Sequence, residues 1–116
     1  MSLYRSNIDF SVRQLEAETI IKCWPDKIPI ILEKDPKSQM KSLEKPKFLC
    51  PKEFSVLQFI TYLRRKINLP KKTALFVVVE KGEMLSGDKM MLEIYQRHQN
   101  ADGFLYLTYG DHAAFG

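Results

Sequence analysis

Cysteine is scarce in this sequence of 116 residues, and Cys23 and Cys50 alone cannot form a disulfide framework. Neither has the closely spaced cysteines or histidines that a zinc site needs. Both are flanked by apolar residues, in "IIKCW" and "KFLCP", so we expect each cysteine to pack as a small hydrophobic side chain. We also expect the protein to be in a reducing compartment. The cysteine content therefore excludes a disulfide-stapled secreted domain.

Long apolar runs are also missing, and none approaches the roughly 18 residues that a membrane-spanning helix requires. The first ten residues, "MSLYRSNIDF", contain no apolar core of a secretory signal. The second residue is not the glycine that N-myristoylation needs. We therefore expect a cytoplasmic protein.

Catalytic and cofactor motifs are absent from the sequence. His98 and His112 stand without cysteines or carboxylates at metal-ligand spacing, and solvated or capping roles are expected for both. There is no glycine-rich phosphate loop and no nucleophile elbow around a serine. We therefore expect no enzyme activity, no catalytic residue, no cofactor and no metal.

Positive charge is concentrated in the middle of the chain. Residues 34–72 contain eleven Lys or Arg against three acidic residues, a net charge of +8, whereas both flanking segments are negative. This distribution predicts an acidic partner for the middle segment. RNA is an alternative partner, but "RRK" lies at a helix end and the aromatic run of common RNA-binding motifs is lacking. RNA binding is therefore the weaker reading.

The order of helix and strand patterns predicts one small α+β domain. After a weak helical signal around residues 3–7, the pattern predicts a helix from Ser11 that stops before Pro25. It then predicts, in order, strand 28–33, strand 48–50, helix 55–67, strand 74–80, helix 89–99 and strand 104–109. Without the leading helix, this order is ββαβαβ, with the crossover helix of a β-grasp.

Two strands carry further information about the sheet. Residues 28–33 are apolar at both alternate sets of positions, so both faces of this strand should be covered, one of them by the leading helix. Residues 48–50 are closed by Pro51, and a proline at this point indicates a strand end or a sheet edge.

Helix starts are predicted from capping patterns. Ser11 with Gln14 and Ser55 with Gln58 have the spacing of capping boxes, in which each side chain satisfies the other residue's backbone amide. Asp88 is expected to cap the helix that follows it.

Helix faces are predicted from apolar spacing. In the first long helix, Val12, Leu15, Ile20 and Cys23 are expected to face inward and Arg13 to lie on the surface. The second is expected to bury a stripe formed by Val56, Phe59 or Ile60, Leu63 and Ile67.

Several motifs together resemble the ubiquitin-like autophagy modifiers of the GABARAP type. They are "WPDKIPIILEK", "KFLCP", "QFITYLRRKI", "ALFVVVE", "IYQRH" and "DGFLYLTY" followed by the final "FG". The resemblance implies a ubiquitin-like β-grasp with two additional N-terminal helices. It implies a helical extension at residues 1–24, a β-grasp core at residues 25–109 and a flexible conjugation tail at residues 110–116.

The resemblance also implies a peptide-binding groove along the strand at residues 48–50. Family ligands carry an aromatic residue, two free residues and an aliphatic residue, often preceded by acids, and they add a strand to this edge. Carried over residue by residue, the pocket for the aromatic side chain consists of Glu16, Ile20, Pro29, Ile31, Lys47, Leu49 and Phe104.

The pocket for the aliphatic side chain is implied in the same way. Its residues are Phe48, Cys50, Pro51, Phe54, Phe59, Tyr62 and Leu63. The family usually has Tyr, Val and an aliphatic residue where this sequence has Phe48, Cys50 and Tyr62, and the loop at residues 80–89 is also unusual. For each apolar residue, core packing is the alternative role.

The C-terminal "FG" implies a reactive terminus. By resemblance, Gly116 is joined to phosphatidylethanolamine by activating and conjugating enzymes, with Phe115 as an apolar handhold, and a cysteine protease processes or delipidates the protein. A frayed end is the alternative for this tail.

The resemblance implies a monomer located in the cytoplasm and, when lipidated, on autophagosomal membranes, where it recruits receptors. A plain adaptor that is never conjugated is the competing reading.

Overall fold

The structure is a computed structural model, and it describes residues 2–115. Helices α1 to α5 and strands β1 to β4 occur along the chain in this order: α1 (Leu3–Asn7), α2 (Phe10–Cys23), β1 (Lys27–Lys34), β2 (Lys47–Pro51), α3 (Val56–Lys66), β3 (Phe76–Val79), α4 (Met91–His98), β4 (Leu105–Gly110) and α5 (His112–Phe115).

The four strands form one mixed sheet in the order β2-β1-β4-β3. Strand β1 pairs antiparallel with β2 and parallel with β4, and β4 pairs antiparallel with β3. The antiparallel pairs β1–β2 and β3–β4 are thus joined through the central parallel pair β1–β4, and α3 lies in the connection from β2 to β3. This topology confirms the predicted ubiquitin-like α+β fold with two N-terminal helices.

Hydrophobic residues are buried on both faces of the sheet. On one face, α3 and α4 pack over β1, β3 and β4, and Phe59, Leu63 and Met91 are fully buried there. On the other face, Ala17 and Ile20 of α2 pack against a second cluster that includes Ile31. The double coverage explains why β1 is apolar at successive positions, as the sequence predicted.

Helix α3 begins as its sequence predicts. The amide of Gln58 donates to the Ser55 hydroxyl at 3.1 Å, and the amide of Ser55 donates to the Gln58 side chain at 2.8 Å. This capping box satisfies two exposed amides of the first turn. The predicted inward stripe is also confirmed, with Val56, Phe59, Leu63 and Ile67 buried.

Helix α2 begins earlier than predicted, and the proposed Ser11–Gln14 capping box is wrong. The N-cap is Asp9, whose carbonyl oxygen accepts the amide of Arg13 at 3.0 Å, so the chain is helical from Phe10. Ser11 lies inside the first turn and therefore cannot act as the cap.

The inward face of α2 was predicted correctly at Ile20 but wrongly at the other positions. Arg13, Ala17 and Ile20 are buried, whereas Val12, Leu15 and Cys23 are exposed. The buried residues follow i, i+4, i+7 spacing, but the outer face is apolar too, so hydrophobicity alone could not identify the buried face. Cys50 is buried, as expected for a small hydrophobic residue, but Cys23 is not.

Helix α4 starts at Met91 and has Met90 rather than Asp88 as its N-cap, so the predicted capping role of Asp88 is wrong. The Asp88 carboxylate instead accepts the hydroxyl of Ser86. The amide of Met91 donates to the carbonyl of Phe54 at 2.9 Å. Because this tertiary contact satisfies an exposed amide of the helix, no side-chain cap is required.

A buried ion pair holds α2 against the sheet. The Arg13 guanidinium donates to the Asp102 carboxylate at 2.8 Å and also donates to the carbonyl oxygens of Arg5 and Ile8. Asp102 further accepts the Tyr106 hydroxyl at 2.6 Å. The hydrogen bond to Asp102 raises the pKa of Arg13, so the cation is maintained. One guanidinium thereby joins α1, α2 and the turn before β4.

Gly103 allows α2 to approach the sheet closely, and we expect Gly103→Ala to destabilise the fold by about 2 kcal/mol. Its φ of +96° favours glycine, and an added Cβ would lie 2.9 Å from the Cβ of Ala17. Chemical denaturation checks this value. The matched control is Gly87→Ala, where the nearest atom would lie 4.0 Å away. Equal free energies of unfolding for the two variants would contradict the prediction.

Candidate functional site

Strand β2 forms an edge of the sheet. In the described structure it pairs only with β1, in the register Pro29 with Leu49 and Ile31 with Lys47. An unpaired strand edge presents backbone donors and acceptors to which another chain can add a strand. Pro51 is the last residue of β2, and β2 is an edge strand, so both readings of this proline are met at the position where the resemblance places a groove.

One depression lies between α2 and β2, and we call it the α2 pocket. It has a volume of about 540 Å³. Its lining residues are Leu15, Glu16, Thr19, Ile20, Trp24, Lys45, Lys47 and Leu49. Leu15 and Trp24 are among the exposed large hydrophobic residues of the protein, so the pocket presents apolar surface to solvent between its polar and charged lining residues.

The α2 pocket includes only part of the set predicted for the aromatic side chain. Glu16, Ile20, Lys47 and Leu49 line it, as expected. The other three predicted residues are buried and do not line it: Pro29, Ile31 and Phe104.

Sequence reasoning missed four lining residues of this pocket: Leu15, Thr19, Trp24 and Lys45. Leu15 and Thr19 are spaced by four residues, as are Glu16 and Ile20, and this spacing could have placed all four on one side of α2.

A second depression lies between β2 and α3, and we call it the α3 pocket. It has a volume of about 330 Å³. Its lining residues are Leu32, Leu43, Glu44, Lys45, Lys47, Phe48, Tyr62, Leu63 and Lys66. Lys45 and Lys47 line both pockets, so positive charge lies between the two depressions.

Three residues predicted for the aliphatic side chain line the α3 pocket, namely Phe48, Tyr62 and Leu63. The Phe48 ring stacks on Tyr62 with 5.0 Å between centroids and lies 5.6 Å from Phe59. The other predicted residues do not line it: Cys50 and Phe59 are fully buried, and Pro51 and Phe54 are half-buried.

Cys50 is a buried thiol beside the groove. Burial raises the pKa of its thiol to about 12, so it is protonated at neutral pH. The thiol is therefore a packing group rather than a nucleophile.

Lys47 is held by an internal network at the mouth of the α2 pocket. Its ammonium group forms an ion pair with one carboxylate oxygen of Glu16. The other carboxylate oxygen accepts the Tyr4 hydroxyl at 3.1 Å. The Lys47 ammonium also lies 5.9 Å from the centroid of the Tyr4 ring. The network joins α1, α2 and β2 at the edge of the sheet.

The C-terminal segment departs from the expected loose tail. Strand β4 continues to Gly110, and α5 follows it. The rings of Phe76 and His112 meet edge to face, with 4.9 Å between centroids. Phe115 is half-buried, and Gly116 lies outside the described residues.

The described residues contain neither a metal-binding cluster nor a membrane-spanning helix. In the part of the chain that the structure describes, His, Cys, Asp and Glu form no group of three that could hold a metal ion. Between residues 2 and 115, no helix has the length and apolar character needed to cross a bilayer.

The sheet order and the two preceding helices define a ubiquitin-like α+β protein. Residues 12–116 match the sequence profile described as "Autophagy protein Atg8 ubiquitin like". The chain belongs to this Atg8 family of ubiquitin-like autophagy proteins.

Similar proteins occur in distant organisms. Autophagy-related protein 8e of Arabidopsis thaliana is 36% identical over 115 residues, with 99% of this chain and 93% of the relative covered. Autophagy-related protein 8 of Schizosaccharomyces pombe is 35% identical over 116 residues, with 99% and 94% covered. The crystal structure of Trypanosoma brucei ATG8 superposes with a TM-score of 0.93 at 36% identity, and the match covers 100% of this chain and 99% of that one.

Proposed function

We propose that the protein is a ubiquitin-like modifier conjugated through Gly116 to phosphatidylethanolamine on autophagosomal membranes. An activating enzyme adenylates the terminal carboxylate, a conjugating enzyme carries it as a thioester, and a cysteine protease processes or delipidates the protein. In this proposal the protein is a monomeric modifier that the enzymes transfer, and it is not itself a catalyst. The unconjugated form is in the cytosol and the conjugated form is on the membrane. The family match, which extends to residue 116, supports it.

The attached protein is proposed to recruit receptors that carry an acidic aromatic-x-x-aliphatic motif. The observation that carries this proposal is the open edge of β2 with a depression on each side. A strand added to this edge directs alternate side chains to opposite faces. The larger α2 pocket suits the aromatic side chain, and the smaller α3 pocket suits the aliphatic one. Lys45 and Lys47 complement the acids.

We expect Lys47→Glu to weaken binding of an acidic-aromatic peptide about tenfold at low ionic strength. The substitution places a second carboxylate beside Glu16 and repels the ligand's acids. Fluorescence anisotropy of a labelled peptide, measured at low and high salt, tests this expectation. The loss should shrink at high salt because exposed charges are screened.

The matched control is Lys81→Glu, which makes the same charge change in the exposed turn after β3. Both variants should unfold at the wild-type temperature, because exposed ion pairs contribute little to stability. Equal peptide affinities of the Lys47 and Lys81 variants at low salt would remove the groove from the proposal.

The two alternative functions are an adaptor that is never conjugated and an RNA-binding domain. An adaptor that is never conjugated would use the same groove, so it is distinguished by the absence of lipid attachment. RNA binding would require free cations in residues 34–72. One of these cations is engaged internally, because the Arg64 guanidinium donates to the carbonyls of Thr73, Pro70 and Lys71 at 2.8–3.1 Å. The open edge of β2, with a depression on each side, supports the peptide groove.

A further inference from the structure

Glu16 is already bound at both of its carboxylate oxygens. One oxygen pairs with Lys47 of β2, and the other accepts the Tyr4 hydroxyl of α1 at 3.1 Å. The side chains of Glu16 and Lys47 are 31% and 39% exposed, so both are accessible to an arriving ligand. In the ligand-free protein, the lysine therefore has an internal carboxylate as its partner.

Tyr4 is well placed to keep Glu16 in this position. Its ring packs edge to face on the buried Phe104 with 5.8 Å between centroids, and its amide donates to Glu33 at 3.0 Å. Burial and the hydrogen bond to Glu16 raise the pKa of Tyr4 to about 12. The hydroxyl is therefore protonated at neutral pH and can donate to the carboxylate.

We propose that Tyr4 is a positioning residue that holds Glu16 against Lys47 and so makes acidic peptides compete with an internal carboxylate for the groove. The proposal rests on the groove function given above. It assigns to α1 a role in ligand selection, because a peptide without acids has no need to displace Glu16. The Tyr4 hydroxyl thus weakens the binding of acidic ligands selectively and leaves that of neutral ligands unchanged.

The decisive variant is Tyr4→Phe, which keeps the ring contacts with Phe104 and Lys47 and removes only the hydroxyl. The hydroxyl and the ammonium bind different oxygens of Glu16, so the hydroxyl orients the carboxylate rather than competing for it. Its loss should tighten the binding of an aromatic-x-x-aliphatic peptide with preceding glutamates about threefold. The same peptide with glutamines in place of the glutamates should bind with unchanged affinity.

Two further variants separate positioning from structural support. In a Glu16→Gln background, Tyr4→Phe should have no additional effect on the acidic peptide, because the coupled carboxylate is gone. Tyr95→Phe is the matched control, since it removes a hydroxyl that donates to the Gly103 carbonyl at 2.7 Å, away from the groove. This control should bind both peptides as the wild type does.

A second readout needs no peptide. Modification of lysine amines by an N-hydroxysuccinimide ester, followed by mass spectrometry, reports how available each amine is in the free protein. Relative to Lys81, Lys47 should react about threefold faster in Tyr4→Phe than in the wild type, because its ion pair is loosened. Faster Lys47 labelling without any peptide binding would support the positioning of Glu16 by Tyr4 and would count against the groove function on which the competition rests.

The proposal is overturned by either of two results. In the first, Tyr4→Phe changes the affinities for acidic and neutral peptides by the same factor, or retains its effect without Glu16, so that Tyr4 only anchors α1. In the second, the labelling rate of Lys47 is the same in the wild type and in Tyr4→Phe.

Discussion

A chain that lacks Gly116 should remain unattached to liposomes containing phosphatidylethanolamine in a reconstitution with activating enzyme, conjugating enzyme and ATP. In the proposed reaction, the terminal carboxylate is joined to the lipid amine. Glycine has no Cβ, so its backbone fits narrow active sites that a larger residue would block. Attachment of a chain ending in Gly116 should be stable, since each buried CH₂ of the two lipid chains contributes about 0.8 kcal/mol.

Flotation of the liposomes measures attachment. Gly116→Ala keeps the chain length and is the matched control, and it should attach more slowly than the wild type because a methyl group is present at the reacting residue. The truncated chain should bind the acidic-aromatic peptide normally, since the groove is formed by α2, β2 and α3. Equal attachment with and without Gly116 would contradict conjugation and leave the unconjugated adaptor in its place.

Asp102→Ala should have the largest effect on stability, a loss of about 3–5 kcal/mol. The side chain of Asp102 is fully buried, and its substitution leaves the Arg13 guanidinium as an uncompensated buried charge. The Tyr106 hydroxyl and the amide of Phe104, which donates to Asp102 at 2.9 Å, lose the same acceptor. Urea unfolding followed by circular dichroism gives the free energy.

The comparison for this variant is Lys89→Ala, which removes an exposed ion pair between Lys89, just before α4, and Glu93 in the first turn of that helix. Exposed pairs of this kind contribute about 0.5 kcal/mol or less. If Asp102→Ala fails to fold, Asp102→Asn, which keeps one acceptor oxygen, should be intermediate. Losses below about 1 kcal/mol for Asp102→Ala would mean that the ion pair does not hold α2 to the sheet.

Local signals were sufficient for much of the fold. The Ser55–Gln58 capping box and the apolar stripe of α3 were predicted because helix starts and helix faces depend on spacings of three and four residues. Pro51 indicated a strand end or a sheet edge at β2, and the double coverage of β1 followed from its continuous apolar run. Each of these features can be identified from a few neighbouring residues.

Long-range contacts account for what was missed. Arg13 was placed on the surface, but its partner Asp102 is 89 residues away in the sequence, and no local pattern connects them. The prediction of the α4 cap failed for the same reason, since the amide of Met91 donates to the carbonyl of Phe54 from another part of the chain. Around the groove, the contributions of Trp24 and Lys45 depend on how α2 and the β1–β2 loop approach β2.

The intact mass of the protein from cells making autophagosomes tests the central claim most directly. The membrane fraction should contain the chain ending at Gly116 plus one phosphatidylethanolamine, less the water lost when the amide forms. Fragmentation should place the lipid on the C-terminal peptide. An unmodified mass in that fraction, or a lipid found on a lysine instead of Gly116, would contradict the proposed conjugation.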